Sequence, residues 1–101
     1  MSGYALFIQH RTRPGMRDEV QRVWQKHMAP AVAANPGHEA YFYGFGAQPD
    51  TICAFQRYSS RDEASAFLRT PAYAAYEAEV RPLLSGEPQV TALDVLWMKQ
   101  T

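Results

Sequence analysis

The sequence contains one cysteine, Cys53, and no excess of charge of either sign, with 10 acidic and 10 basic side chains. A lone cysteine excludes an intramolecular disulfide, which favours a reducing compartment. Balanced charge provides no extended field of one sign that would attract nucleic acid or an anionic membrane. We therefore expect neither of these as a partner.

The sequence also lacks the patterns of a membrane segment, of a secretion signal and of a metal site. No apolar run approaches the roughly 20 residues that a membrane-spanning helix needs, and the N-terminus has no basic start followed by an apolar stretch. The three histidines, His10, His27 and His38, are isolated, and no two of them are four residues apart. We expect a cytoplasmic protein without a bound metal.

The sequence does contain an alternation of strand and helix patterns that fits one domain over residues 1–101. About a hundred residues is a common size for a single domain. Alternating apolar residues, or apolar residues that recur at intervals of three and four, give the order βαββαβ. We predict strands over 4–12, 38–47, 51–58 and 90–99, and helices over 16–34, 61–69 and 71–84.

The second half of the chain has strong helix-capping signals. Ser60 can accept a hydrogen bond from the first free backbone amides, and Glu63 stands where a capping box places its acidic residue. Thr70 provides a second cap, followed by Pro71 at the first helical position, where its missing N–H costs nothing. The pattern predicts a helix that stops and restarts at the Thr-Pro step.

The strands are apolar on both faces. A sheet that helices cover on one side needs apolar residues on that side only. In the first strand Leu6 and Ile8 share one face, while Phe7 lies on the other. The uncovered face needs a partner, and a second copy of the same chain is the simplest one. We predict a homodimer with Phe7, Cys53 and Phe55 on the interface side.

These signals occur in an order that resembles the antibiotic biosynthesis monooxygenase domains over almost the whole chain. The resemblance rests on the turns Pro14-Gly15 and Pro36-Gly37, an aromatic second strand, and the segments 58–64 and 70–73. It implies a ferredoxin-like α+β fold with an antiparallel sheet that pairs as a dimeric α+β barrel. It also implies a pocket between sheet and helices, where dioxygen oxygenates a quinol or polyketide-like aromatic substrate without metal, flavin or other cofactor.

The chain departs from the family pattern at positions where chemistry is expected. Anthrone-oxidising members have tryptophan, asparagine and tyrosine where this chain has Tyr58, Ala54 and Ala64. The haem-degrading branch has asparagine and a haem-ligating histidine where this chain has Ile8 and Glu77. These departures disfavour haem degradation. Of the oxygenase pattern, the chain keeps only an aromatic ring, that of Tyr58.

Candidate site residues follow from chemistry and from position. His27 lies on the apolar face of its helix, one turn from Trp24, where a neutral imidazole could take a phenolic proton. A core-edge histidine with a backbone partner is the alternative. We take His27 and Tyr58 as the catalytic candidates, with substrate-binding walls from Trp24, Tyr43, Tyr76 and Trp97. His10, near the end of the first strand, falls either at the rim or in the pocket.

Two functions remain open at this point. The first is a cofactor-independent monooxygenase of a small aromatic substrate. The second is a non-catalytic dimeric binding or accessory protein for an aromatic metabolite. A concave pocket with an inward-pointing histidine or tyrosine hydroxyl would favour the enzyme, whereas a filled core would favour the binding protein.

Overall fold

The computed structural model describes residues 3–99, which form a four-stranded antiparallel sheet with helices packed on one face. The strand order is β2-β3-β1-β4, as in ferredoxin-like folds, and the predicted α+β class is confirmed. No helix in this part of the chain is long and apolar enough to cross a membrane. The elements are β1 (Gly3–Arg11), α1 (Arg17–Ala34), β2 (His38–Phe45), β3 (Thr51–Tyr58), α2 (Arg61–Phe67), α3 (Pro71–Val80) and β4 (Gln89–Val95).

The register of β1 on β3 divides the sheet into two faces. Ile8 pairs with Ala54 and His10 with Ile52, so these side chains share the face under the helices, which we call the helix face. The opposite face, which no helix covers, is the open face. Its members include Ala5, Phe7, Gln9 and Arg11 of β1 and Cys53, Phe55 and Arg57 of β3.

The core lies between the helix face and the helices. Its buried side chains come from every layer, and α1 and α3 pack against each other above the sheet. Burying an aliphatic or aromatic side chain stabilises the fold by about 1.5–3 kcal/mol, so this cluster is the main source of stability. The cluster comprises Leu6, Val20, Val23, Met28, Ile52, Tyr58, Ala64, Phe67, Tyr76 and Val80.

The last helix and the last strand are shorter than predicted. Helix α3 ends at Val80 and passes into a 3-10 turn, Arg81–Leu83, because Pro82 has no N–H to continue an α-helix. Strand β4 ends at Val95, so the predicted continuation over 96–99 is wrong, and Leu96 and Trp97 are exposed beyond it. Apolar alternation alone did not reveal that the pairing of β4 with β1 extends, among residues 3–99, only to Val95 opposite Gly3.

The predicted caps are present, with one exception. Ser60 Oγ accepts from the backbone N–H of Glu63 at 3.2 Å, and Thr70 Oγ1 accepts from that of Tyr73 at 3.3 Å. The Glu63 carboxylate, however, does not return to the cap. Its side chain packs against Gly37, where an added Cβ would clash with Glu63 Oε1. Because the loop before β2 lies this close, the Glu63 side chain packs against Gly37 and does not complete the capping box.

A small polar network lies within this aromatic core. The Asn35 amide donates to His38 Nδ1 at 2.9 Å, and His38 Nε2 lies 3.2 Å from Gln56 Oε1, which also accepts from the Tyr58 hydroxyl. Burial lowers the pKa of His38, and the hydrogen bond to Gln56 opposes that shift. Both ring nitrogens of the neutral His38 imidazole therefore have hydrogen-bond partners. Protonation of His38 would add a charge beside the rings of Tyr58 and Phe67.

Replacing Thr70 with Ala should lower the free energy of unfolding by about 1–2 kcal/mol, measured by urea denaturation. The hydroxyl both accepts from Tyr73 N and donates to the Phe67 carbonyl at 2.8 Å, so both bonds are lost. Thr70→Ser keeps the hydroxyl and should lose much less. Equal losses in the two variants would show that the cap does not stabilise the restart of the helix.

His38 should make the protein less stable in mild acid. Its folded pKa lies below the ordinary value of 6.5, so the unfolded chain takes up the proton first. The stabilising contribution is complete above about pH 7 and is lost as the pH falls below 6.5. Because the side chain is only half-buried, we expect less than about 1 kcal/mol.

The measurement is the unfolding free energy from pH 8 to pH 5 for the wild type and for His38→Gln, whose amide keeps the donor to Gln56. The wild-type curve should fall more steeply on the acid side. Parallel curves would show that His38 does not contribute to the pH dependence.

Candidate active site

Aromatic side chains from α1 and β2 line one side of the helix-sheet interface. Trp24 stacks on Tyr43 with ring centroids 4.1 Å apart and planes 18° from parallel. The indole Nε1 also donates to the Tyr41 hydroxyl at 3.1 Å. The structure thus brings together Trp24 and Tyr43, two residues that the sequence analysis selected, and adds Tyr41, which it did not.

Tyr58 is fully buried, with no exposed surface. Its ring lies against His38, with centroids 4.3 Å apart, and its hydroxyl is bonded to Gln56. In this position Tyr58 supports the floor of the helix-sheet interface and lines neither of the two cavities described below. Its predicted catalytic role stays a prediction that would require the core to open.

A cavity of about 70 Å³ lies between the end of β1, helix α3 and the segment 84–88. Tyr76, another predicted substrate-binding residue, is in its wall, and so is His10. This volume can hold roughly two water molecules, whereas benzene occupies an engineered cavity of about 150 Å³. We call it the inner cavity; its other lining residues are Tyr73, Glu77, Val80, Arg81, Leu84, Gly86, Glu87 and Pro88.

His10 is the titratable group best placed for proton transfer in this cavity. Its Nδ1 is buried and has no hydrogen-bond partner among residues 3–99. Burial lowers the pKa of His10 below the ordinary value of 6.5, so the imidazole is neutral at pH 7. A neutral imidazole has one unprotonated nitrogen, which can accept a proton from a phenol.

The tyrosines of the interface remain protonated over the whole physiological range. Burial raises the pKa of Tyr41 to about 12, and it also raises the pKa values of Tyr43, Tyr58 and Tyr76. Neighbouring phenols add to the shift at Tyr76. Protonated phenols are hydrogen-bond donors, so they can stabilise an anionic oxygen but cannot act as bases at neutral pH.

A larger, open cleft of about 680 Å³ lies beside the inner cavity, at the polar end of the open face. His10 and Glu87 line both spaces, so they form the boundary between them. We call this space the outer cleft. The remaining lining residues are Gln9, Arg11, Gly46, Ala47, Gln48, Thr51, Cys53, Ser85 and Gln89.

His27 and Trp97 lie away from both spaces. His27 is bonded through Nε2 to Glu79 Oε1 at 2.6 Å, at the edge where α1 meets α3, and Lys26 contacts the same carboxylate. These bonds hold the pKa of Glu79 below its usual range. Trp97, 80% exposed, follows the end of β4. His27 is therefore partnered by a side chain rather than by the backbone, and neither residue lines the inner cavity.

The importance of His10 could have been found from the strand pattern. It alternates in phase with Leu6 and Ile8, both of which point to the helix face. The pattern did not reveal that segment 84–88 would enclose its imidazole, since that contact joins residues more than 70 positions apart. The sequence therefore left His10 open between the rim and the pocket, and the tertiary structure places it in the wall of the inner cavity.

Neither a metal nor a haem has an evident set of ligands. Within residues 3–99, no group of three or more His, Cys, Asp or Glu side chains is close enough to hold a metal ion. Ile8 and Glu77 occupy the places where the haem-degrading pattern has asparagine and histidine, and the Glu77 carboxylate lies 3.7 Å from Arg81.

Solved structures with the same fold include proteins from several bacteria. Rv0793 of Mycobacterium tuberculosis is 26% identical, with a TM-score of 0.86 over 98% of this chain and 100% of its own. NE2512 of Nitrosomonas europaea, a protein of unknown function, is 25% identical, with a TM-score of 0.84 over 100% of this chain and 96% of its own. No curated protein matches the sequence.

A third structure carries the family's name. It is a Caulobacter crescentus CB15 protein whose name refers to an antibiotic biosynthesis monooxygenase, and it is 20% identical. Its TM-score is 0.88 over 95% of this chain and 92% of its own, which shows a common fold. The sequence model of the same family matches residues 3–79, from the start of β1 to the last turn of α3. The chain therefore belongs to the antibiotic biosynthesis monooxygenase family.

Proposed function

We propose that the protein is a cofactor-independent monooxygenase of a small phenolic or quinol substrate. The observation that supports this proposal is the neutral imidazole of His10, with a buried and unpartnered Nδ1, in the wall of a cavity that tyrosines also line. Membership of the family supplies the reaction class, and the inner cavity supplies a place for the reacting hydroxyl.

The proposed reaction needs a base and a dry site. His10 accepts the proton of the substrate hydroxyl, and the electron-rich anion that results adds dioxygen at a ring carbon to give a hydroperoxide. Loss of water then leaves a carbonyl at that carbon. One oxygen atom enters the product, the other leaves as water with the two hydrogens removed from the substrate, and the substrate supplies all the electrons.

Burial supplies the electrostatic part of this mechanism. The phenols of Tyr73 and Tyr76 stay protonated because burial raises their pKa values, so they can donate to the anionic oxygen. Donors oriented in a water-poor site stabilise such charge better than water does, since they need no reorganisation. Trp24 and Tyr43 would extend this aromatic wall if the core opens toward them.

Substrate entry requires the site to expand, because the inner cavity is smaller than a benzene ring needs. The segment 85–88 lies between the inner cavity and the outer cleft, and the backbone N–H of Ser85 donates to the Arg11 carbonyl at 2.7 Å. Gly86 has a φ of 92°, and no atom lies within 4 Å of the position where its Cβ would be. A displacement of this segment would join the inner cavity to the outer cleft, whose volume is typical of ligand sites.

We also propose that the protein acts as a homodimer through its open face, in the cytoplasm. Phe42 is 70% exposed on this face and lies against Phe55, with centroids 6.3 Å apart, and Leu93, on the other edge strand of the same face, is 40% exposed. Apolar side chains adjoining one another on a sheet face form a surface that a second copy can cover. Cys53 is a free, partly buried thiol, which is compatible with a reducing compartment.

The alternative is a non-catalytic binding protein for an aromatic metabolite. The small volume of the inner cavity favours it, since a filled core leaves no room for a ring to react. The two functions differ in what happens after binding. A binding protein would hold a quinol without accelerating oxygen consumption, whereas an enzyme would consume oxygen and release a quinone.

Replacing His10 with Gln should lower oxygenation by about a hundredfold or more, because glutamine fills the space but cannot act as a base. The assay is oxygen uptake by metal-stripped protein with a panel of quinols and anthrones, corrected for spontaneous autoxidation. Wild-type turnover should also fall as the pH drops below 6.5 through the lowered pKa of His10, since the base must be neutral.

The matched control is His27→Gln, the same substitution at the base that the sequence alone suggested. It should leave turnover within a few-fold of the wild type, because His27 lines neither cavity. A loss confined to the His27 variant would assign the base to that residue instead. No uptake above autoxidation for the wild type would remove the enzyme proposal and favour the binding protein.

Replacing Phe42 with Glu should dissociate the proposed dimer, because it places a charge on the apolar part of the open face. Sedimentation velocity at micromolar concentration measures the result. Leu68→Glu changes an exposed leucine just after α2, away from the open face, and should remain dimeric. A monomeric wild type would contradict the dimer proposal.

A further inference from the structure

The open face has one end where a charged side chain lies among apolar ones. Arg57 of β3 is two residues from Phe55, and Ala5, its partner in β1, is fully buried although no helix covers this face. Gly3 packs here as well, since an added Cβ would lie 2.6 Å from Arg57 Nε. The Arg57 side chain is only 16% exposed. A guanidinium that is covered to this extent needs partners for its charge and for its N–H donors.

A β-bulge brings an acidic residue to this guanidinium. The register of β2 on β3 shifts between His38 and Ala40, so Glu39 is an extra residue opposite Arg57. In a regular strand Glu39 would lie in phase with Tyr41, on the helix face. A bulge re-aims a side chain, and here the Glu39 carboxylate lies on the open face, 3.3 Å from Arg57 Nε.

The single chain does not complete this ion pair. The Nε–H of Arg57 is buried but is not directed at the carboxylate, and it makes no hydrogen bond among residues 3–99. Within the same residues the guanidinium donates only from Nη1 to the Met98 sulfur, a weak acceptor, at 3.8 Å. The Glu39 side chain is 43% exposed. Both groups therefore keep hydrogen-bonding capacity that this part of the chain does not use.

Exposed apolar side chains lie beside the pair. Phe42 of β2, 70% exposed, lies against Phe55. Leu96 and Trp97, 91% and 80% exposed, directly precede Met98, whose sulfur contacts the guanidinium. Aromatic residues, methionine and arginine are the residue types that are enriched in interfaces between proteins. This end of the open face therefore has the composition of a protein contact.

A second copy of the chain carries the charges that this surface needs. Twofold symmetry brings one residue of the first copy to another residue of the second, and the reverse contact then forms as well. A surface with an adjacent arginine and glutamate is complementary to itself when the axis passes beside the pair. Each Arg57 then meets the Glu39 of the other copy. Because the pair has no net charge, covering it leaves neither charge uncompensated.

We propose that Arg57 and Glu39 form the charged centre of a homodimer interface on the open face, in which Arg57 of each copy binds Glu39 of the other. This inference rests on the proposed homodimer and adds the residues that align its two copies. The bulge at Glu39 is then a feature of assembly. The pair also makes the interface selective for an identical chain, because a partner without a matched acid and base would bury an uncompensated charge.

The test uses charge reversal and mixing. Arg57→Glu leaves two acids at this place and Glu39→Arg leaves two bases, so each variant should self-associate about a hundredfold more weakly than the wild-type protein. An equimolar mixture of the two variants should form a heterodimer, because every charge then meets its opposite across the interface. Sedimentation velocity at micromolar concentration measures both results. Arg69→Glu, which reverses an exposed charge just after α2, should self-associate like the wild-type protein.

The mixture separates contact between copies from contact within one chain. If the pair acted only within a chain, each variant would keep its own repulsion, and mixing would restore nothing. Circular dichroism checks that both variants fold. If a reversal prevents folding, Arg57→Gln and Glu39→Gln replace it. Each should weaken dimerisation several-fold, and the double variant no more than either one, because the second change removes a group whose partner is already gone.

The inference is overturned if the mixture stays monomeric while the wild-type protein is dimeric, if both reversals dimerise like the wild-type protein, or if the two amide substitutions have additive effects or none. In these cases, dissociation by Phe42→Glu would leave the homodimer through the open face intact and remove only its charged centre. A monomeric wild-type protein would overturn both proposals.

Discussion

The antiparallel pairing of β1 with β3 is the constraint on which both faces of the molecule depend. Its register sets Ile8 opposite Ala54 and His10 opposite Ile52, and the two-residue period of a strand then assigns every neighbour. A slip by one residue would move His10 to the open face and Arg11 under the helices. The hydrophobic core opposes that slip, since Leu6 and Ile8 would leave it together.

The chemistry of the helix-sheet interface follows from the same burial that stabilises the fold. Low polarity holds the imidazole of His10 neutral and the phenol of Tyr41 protonated, because it penalises whichever form is charged. One physical effect thus accounts for both the neutral imidazole and the protonated phenols. It also accounts for the small cavity, since a core of large aromatic rings packs with little free space.

Local signals predicted much of this fold, for local reasons. Ser60 and Thr70 cap their helices through bonds to residues three positions ahead, which the sequence displays directly. The sequence predicted Trp24 and Tyr43 on the apolar faces of their own elements, and their rings do stack, but neither residue lines a cavity and their substrate-binding role stays a prediction. The position of the Glu63 side chain was not predicted, because it packs against Gly37, which is distant in the sequence, and not against its own cap.

The sequence by itself determined the order of the elements, the capped and restarted helix, the division of β1 into two faces and the membership of a family. These properties depend on periodicity and on bonds between near neighbours. Tertiary structure alone decided that His10 faces a cavity while His27 is held by Glu79, and that Trp97 lies outside the sheet. Each of these outcomes depends on which distant segment covers a side chain, because distant contacts govern desolvation, and desolvation governs whether an imidazole is free to act as a base.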